Sequence, residues 1–224
     1  MTIEKLKKLC LQYLEQDSET DLEEQSIEDL KSNDTFAEYL LNMEHVLYMA
    51  LSRMATSKIL PLQEFEIEKG TNTVHLTENG SKKPIFHAIK DVYCLDDKGN
   101  LGGNVKWTLI GTKLIIHEVN KDYTYYVAYH PSINSLETYL DNEITSIDDI
   151  ELNDIGANHI CVPDEMAINI KYLVYSEMKL EENASIANAN KNYFENYLSS
   201  MYETQIIRNQ VEIEMADWGD IYGN

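Results

Sequence analysis

The sequence predicts an α+β protein: a helical bundle built from N-terminal and C-terminal helices, an antiparallel β domain inserted between them, and an extended C-terminal tail. Three observations carry that expectation. Apolar residues recur every three to four positions over residues 3–14, 36–54 and 166–201, the period of a buried helix face. Over residues 62–131 the period shortens towards alternation, with turn residues between the runs, the signature of short strands. From Ile206 onward the chain is acidic and β-branched, without a stripe of the kind seen upstream.

Composition bounds the rest. With 224 residues and 43% hydrophobic content, the chain can fill one large domain, or a small helical domain carrying a β insertion. The formal net charge is -21, which repels phosphate backbones and argues against nucleic-acid binding through a basic face. Cys10, Cys94 and Cys161 lie far apart in the chain, a pattern for reduced thiols in a cytoplasmic setting rather than a disulfide framework or a zinc knuckle. The opening residues MTIEKLKKLCLQYLEQD lack the apolar core of a signal peptide. No run approaches the length of a membrane span.

Taken in order, Ile3, Leu6, Leu9, Cys10, Tyr13 and Leu14 predict a short amphipathic helix. Residues 15–34 are acidic and poor in apolar groups, and read as a mobile linker with one turn around Ile27 and Leu30. Thr35, with Glu38 three residues on, has the spacing of a capping box. Phe36, Leu40, Met43, Leu47, Ala50, Leu51 and Met54 then trace one face of a long helix that Pro61 ends. Helical segments up to residue 60 and over 160–205 make the bundle.

The inserted β domain spans residues 62–131, with five or six short strands. Gly111-Thr112 between two strand-like runs suits a two-residue type II′ hairpin turn, and residues 96–100 are turn material. Residues 132–159 form an acidic, Asn-rich connection. Pro163, followed by Asp164 and Glu165, opens a helix as proline and acidic residues do. Met166, Ile170, Leu173 and Val174 give its inward face. A break at Glu181-Glu182-Asn183 pairs it with a second helix carrying Ala184, Ala187, Lys191, Phe194, Leu198 and Met201. Residues 206–224 are the tail.

The motifs of common catalytic and nucleotide-binding sites are absent: GxSxG, HExxH, GxxxxGK[ST], CxxC and a strand-to-helix GxGxxG. The reading is of a protein without catalytic residues, metal or cofactor. Asp96-Asp97-Lys98-Gly99-Asn100 lacks the alternating carboxylates and closing Glu of a calcium loop. His75, His87 and His117 each fall in a predicted strand, and their convergence on one sheet face would make a zinc site; isolated strand histidines are the commoner case. The 15 tyrosines concentrate at 123–129, 172–175 and 193–202. Core packing and a subunit interface both fit them, because Tyr is favoured in interfaces.

One order of segments stands out. Asp122-Tyr123-Thr124-Tyr125-Tyr126-Val127-Ala128-Tyr129-His130-Pro131 is followed by a polar loop and then by Val162-Pro163-Asp164-Glu165-Met166-Ala167. Tyr172-Leu173-Val174-Tyr175-Ser176-Glu177, the break Glu181-Glu182-Asn183-Ala184, and Tyr193 with Leu198 complete it. Over residues 105–202 this order resembles the head-to-tail connector (adaptor, or neck) proteins of tailed bacteriophages.

The resemblance implies a structural virion protein at the head–tail interface, made in the host cytoplasm. It implies a ring, typically of twelve copies, that sits on the portal protein, meets other neck or tail proteins, and lets DNA pass without specific binding. It further implies a C-terminal segment that docks on the portal, here with Trp218, Ile221 and Tyr222 as anchors. Tyr172, Tyr175, Tyr193 and Tyr197 would lie at the subunit interface. Asp97, Gly99 and Asn100 would lie in loops facing the tail. Two features depart from the pattern, the long acidic linker and the large β region, and they raise a second neck protein or a tail-hub component as variants. A different class, an acidic inhibitor or immunity-type protein that binds a basic partner, accounts for the charge equally well.

Overall fold

A computed structural model of the chain describes residues 1–15, 22, 24–77, 84–133, 146–152 and 162–222, excepting the side chains of Thr35 and of residues 204–222. Helices and strands are both present, and the strands form two small antiparallel sheets, an α+β composition. The chain divides into two compact units, Met1–Glu4 with Leu60–Asp164, and Lys5–Ile59 with Glu165–Asn224.

The strand unit holds β1 (Gln63–Ile67), β2 (Thr73–His75), β3 (Phe86–Asp96), β4 (Trp107–Ile110), β5 (Lys113–Ile116) and β6 (Tyr123–Pro131). One sheet runs β1-β6-β3 and the other β2-β5-β4. The predicted alternation is plain in β6, where Tyr125, Val127 and Tyr129 are buried while Thr124, Tyr126 and Ala128 on the opposite face are only partly so. Their buried side joins Ile67, Val92 and Cys94 of the same sheet, and Leu114 and Ile116 of the other, in a single apolar cluster. Ile110 pairs with Lys113 across Gly111-Thr112. Gly111 has φ +62°, and among the described residues Lys58 alone combines a side chain with positive φ. Those signs are those of a type II′ turn.

Part of the expected acidic connection belongs to this unit's fabric. Ser146 caps a single 3₁₀ turn, Ile147–Asp149, and Ile150 and Leu152 are buried. Ile3 N–H donates to Ile150 O at 2.9 Å, and Leu152 N–H donates to Met1 O at 3.0 Å. The rest of the connection, and Cys161, lie outside the described residues.

The helical unit holds α1 (Ile3–Leu14, from Lys5 on), α2 (Ile27–Lys31), α3 (Asp34–Thr56), α4 (Asp164–Ala167, from Glu165 on), α5 (Ile170–Met178) and α6 (Ala184–Tyr222). All seven apolar positions assigned to the face of α3 are buried. The expected linker is described only in part, residues 16–21 and 23 lying outside the described residues. Where one turn was expected around Ile27 and Leu30, Ser26 and Asp29 form a capping box and Leu22, Ile27 and Leu30 are buried, so this part of the segment is a docked five-residue helix rather than mobile.

The capping box expected at Thr35 and Glu38 does not start α3, because Thr35 already lies inside the helix. Asn33 O instead accepts from the N–H groups of Phe36 and Ala37 at 3.0 and 2.9 Å. Downstream, the segment opened by Pro163 is interrupted at Ile168-Asn169, where Asn169 Nδ2 donates to Glu165 O at 2.8 Å. That local bond competes with helix continuation. The extended tail is also corrected: the backbone from Ile206 to Tyr222 continues α6 as helix.

Candidate interaction site

The helical unit concentrates aromatic rings where α1, α5 and α6 meet. The Tyr13 ring lies 5.5 Å from Tyr172 and 5.4 Å from Tyr175, both edge-on, and Tyr172 lies 5.8 Å from Tyr193. Edge-on geometry sets the positive rim of one ring against the negative face of the next. Lys171 Nζ stands 5.2 Å from the centroids of both Tyr13 and Tyr172, within cation–π range. Beneath the rings, Tyr13 Oη donates to Asn190 Oδ1 at 2.8 Å, and Asn190 Nδ2 donates to Ile186 O at 3.0 Å. The buried Asn190 amide is thereby satisfied at both ends. Burial pushes the Tyr13 phenol above its ordinary pKa, with Tyr172, Tyr175 and Tyr193 adding to it.

Of the four tyrosines assigned to a subunit interface, Tyr172 and Tyr175 thus spend much of their ring surface on this chain's own Tyr13. Tyr193 remains 63% exposed and Tyr197 is partly buried. Tyr13 and Lys171 complete the group, and neither stands out as a site residue in the sequence, where Tyr13 is one more position of the α1 stripe.

A second polar cluster lies one turn further along α5. Lys179 Nζ donates to Tyr39 Oη, and to Glu182 Oε2 at 2.9 Å, with Glu15 Oε1 3.6 Å away. Burial alone would lower the lysine pKa, but the bonds to Tyr39 and Glu182 outweigh it and the net shift is upward. Arg53 pairs with Glu195 beside an open cleft of about 340 Å³ lined by Thr56, Ser57, Lys58, Leu198, Ser199 and Tyr202. Its lining includes neither histidine nor cysteine.

In the strand unit, Asp97, Gly99 and Asn100 are all exposed on a turn organised by Asp96. One Asp96 oxygen accepts from the N–H groups of Lys98 and Asn100, and the other accepts from Asn100 Nδ2, each at 2.8 Å. These bonds, the Asn100 side chain first, hold the Asp96 carboxyl below its ordinary pKa. Gly99 supplies φ +82°, and Lys69 reaches across to Asp97. The loop is therefore preformed and presents its carboxylate and amide to solvent.

The possible histidine convergence does not occur. His75 stands on β2 and His87 on β3, in different sheets, both are exposed, and His117 Nε2 is 2.7 Å from Thr108 Oγ1. Among the described residues no group of His, Cys, Asp or Glu is placed to hold a metal, and no helix is long and apolar enough to cross a membrane. Cys10 and Cys94 are buried free thiols, and burial pushes Cys10 up to about 12. Trp218, Ile221 and Tyr222 fall in the last turns of α6, where the backbone is helical and the side chains lie outside the described residues. No protein-family model matches this chain, and no curated protein sequence matches it.

Proposed function

We propose that this chain is a structural virion protein of a tailed bacteriophage, an adaptor ring that joins the portal to the neck and tail and lines the DNA channel. In this reading the helical unit is the ring-forming bundle, and the strand unit is an insertion whose loops, with Asp97, Gly99 and Asn100 at the tip of one, face the tail. The end of α6, with Trp218, Ile221 and Tyr222, docks on the portal. The chain acts without catalytic residues or cofactor, and an acidic channel lining keeps passing DNA from adhering.

The observation that carries the reading is α6. It is 39 residues long, about 58 Å at the α-helical rise. Its first turns bury Ala187, Asn190, Phe194 and Leu198, while Ile186, Tyr193 and Tyr202 stay exposed. A helix of that length, with apolar and aromatic groups left outward, suits contacts between chains. The resemblance of residues 105–202 to connector proteins supplies the identity of the partners.

Native mass spectrometry of the chain with and without a portal protein tests the proposal. The expected result is a portal-bound ring, and loss of docking with an intact fold when residues 216–224 are deleted. A chain that ignores portal and captures a basic nuclease instead would support the inhibitor reading, which fits the charge of -21 equally well.

A further inference from the structure

The outer faces of the two sheets differ in charge. Inward side chains of both sheets share one apolar cluster, so the alternate side chains of each sheet point away from it, on opposite sides of the strand unit. On β1-β6-β3 these include Glu64, Glu66 and Asp91, all exposed, beside Tyr93 and Tyr126, whose rings stack at 5.4 Å. Tyr93 Oη donates to Glu64 Oε1 at 2.6 Å. These three strands hold one lysine, Lys90 at the bulge of β3. The strands of β2-β5-β4 hold no carboxylate at all. Their outer face presents His75, Lys113 and Ile110, with Ile110 62% exposed. Lys106 and His117, joined by a backbone bond of 2.9 Å, extend it. Lys106 Nζ lies 3.7 Å from Glu118, in a pair open to solvent.

We propose that these two faces bind each other between copies of this chain, the β2-β5-β4 face of one strand unit against the β1-β6-β3 face of the next. Charge complementarity selects the occupant. A basic partner would match one face and an acidic partner the other, whereas a second copy matches both. Tyr93 and Tyr126 offer Lys113 aromatic surface beside the carboxylates, and Ile110 supplies apolar area. The net charge of the chain is concentrated elsewhere. Residues 62–131 carry eight lysines against nine acidic side chains, so nearly all of the -21 lies outside this stretch. At about 0.15 M salt, charges are screened beyond about 8 Å, while opposed side chains within the contact stay inside that reach. A contact between unlike faces propagates from copy to copy and closes a ring where the rotation allows. It goes beyond the ring reading above, in which the helical unit joins the copies, and can fail while portal docking succeeds, or hold while docking fails.

Three short strands bury less area than a standard interface, so the association is weak, in the micromolar to millimolar range. Sedimentation velocity on the full chain, up to about 0.5 mM in about 0.15 M NaCl, reads it as mass above one chain. Lys113→Glu and Glu66→Lys should each weaken it by about five-fold or more, although the first makes the chain more acidic and the second less. Repulsion by net charge alone predicts the opposite for Glu66→Lys. An equimolar mixture of the two variants should restore association, because the exchanged charges then face each other. Ile110→Glu places a carboxylate on the same face as Lys113→Glu and should weaken it likewise, with circular dichroism verifying the fold of each variant. A single-chain mass at every concentration, stronger association of Glu66→Lys than of the wild type, or a mixture that associates no better than its components would overturn the proposal.

Discussion

Lys58 shows how one residue can be held against its own preference. It has φ +56°, in the left-handed region where a Cβ costs roughly 1 kcal/mol or more. It sits there because α3 ends in a Schellman arrangement. Lys58 N–H donates to Ala55 O at 2.9 Å, and Ile59 N–H donates to Met54 O at 3.2 Å. Ile59 and Met54, the two apolar positions that the motif pairs, are both buried. Lys58→Gly should therefore raise stability by about 0.5–1 kcal/mol, seen as a higher urea midpoint at unchanged slope. A lower midpoint would mean that the lysine side chain contributes more than its backbone costs.

Two tyrosines of the strand unit respond to alkali. Burial pushes Tyr129 up to about 12, and burial with the hydrogen bond to Glu64 does the same for Tyr93. Because both folded values lie above the unfolded one near 10, the unfolded chain ionises first. Stability is intact below about pH 10 and falls as pH rises from there towards 12. Tyrosinate absorbance should show these two rings titrating after the exposed ones. Simultaneous titration of all tyrosines in folded protein would contradict the burial of β6.

At the scale of elements, few of the described side chains of α6 anchor it. Phe194 is fully buried and Leu198 nearly so, with Ala187 and Asn190 on the same side. Phe194→Ala should cost about 3–5 kcal/mol and increase hydrogen exchange across α5 and α6, which pack together. Exchange unchanged in α5 would show that the two helices are held independently. The long α3 and the β4–β5 hairpin were legible beforehand, because their signals are local: a heptad-like apolar face in one, a glycine between two apolar runs in the other. The short α2 was legible only as a turn around Ile27 and Leu30, without its cap or its docking. Its capping box spans only Ser26 to Asp29, and its two apolar residues are lost among carboxylates until Leu22, Ile27 and Leu30 find an apolar surface. The helical course of residues 206–222 was missed for a related reason. Val211, Ile213 and Ile221 favour strands locally, and continuation from an established helix overrides that preference because propagation costs less than nucleation.

The whole molecule carries its -21 charge with 18 cationic side chains against 39 acidic ones. Self-repulsion of that size opposes compaction, and its reach shrinks from about 30 Å at 0.01 M salt to about 8 Å at 0.15 M. The thermal midpoint should therefore rise across that interval. A flat profile would indicate that pairs such as Lys7–Glu44 and Lys191–Glu177 already neutralise the acids locally.

The sequence by itself determined much of the fold's composition: the helical or stranded character of most stretches before residue 206, which faces are apolar, and where most turns fall. These follow from periodicity and local turn chemistry, which act over a few residues. Only the tertiary structure decided the tyrosine site. Tyr172, Tyr175 and Tyr193 could be read from the sequence as interface residues, but Tyr13 lies 159 to 180 residues from them along the chain, and no local signal joins them. Packing α1 on α5 brings the rings together, sets Tyr172 and Tyr175 against Tyr13, and leaves Tyr193 exposed on α6.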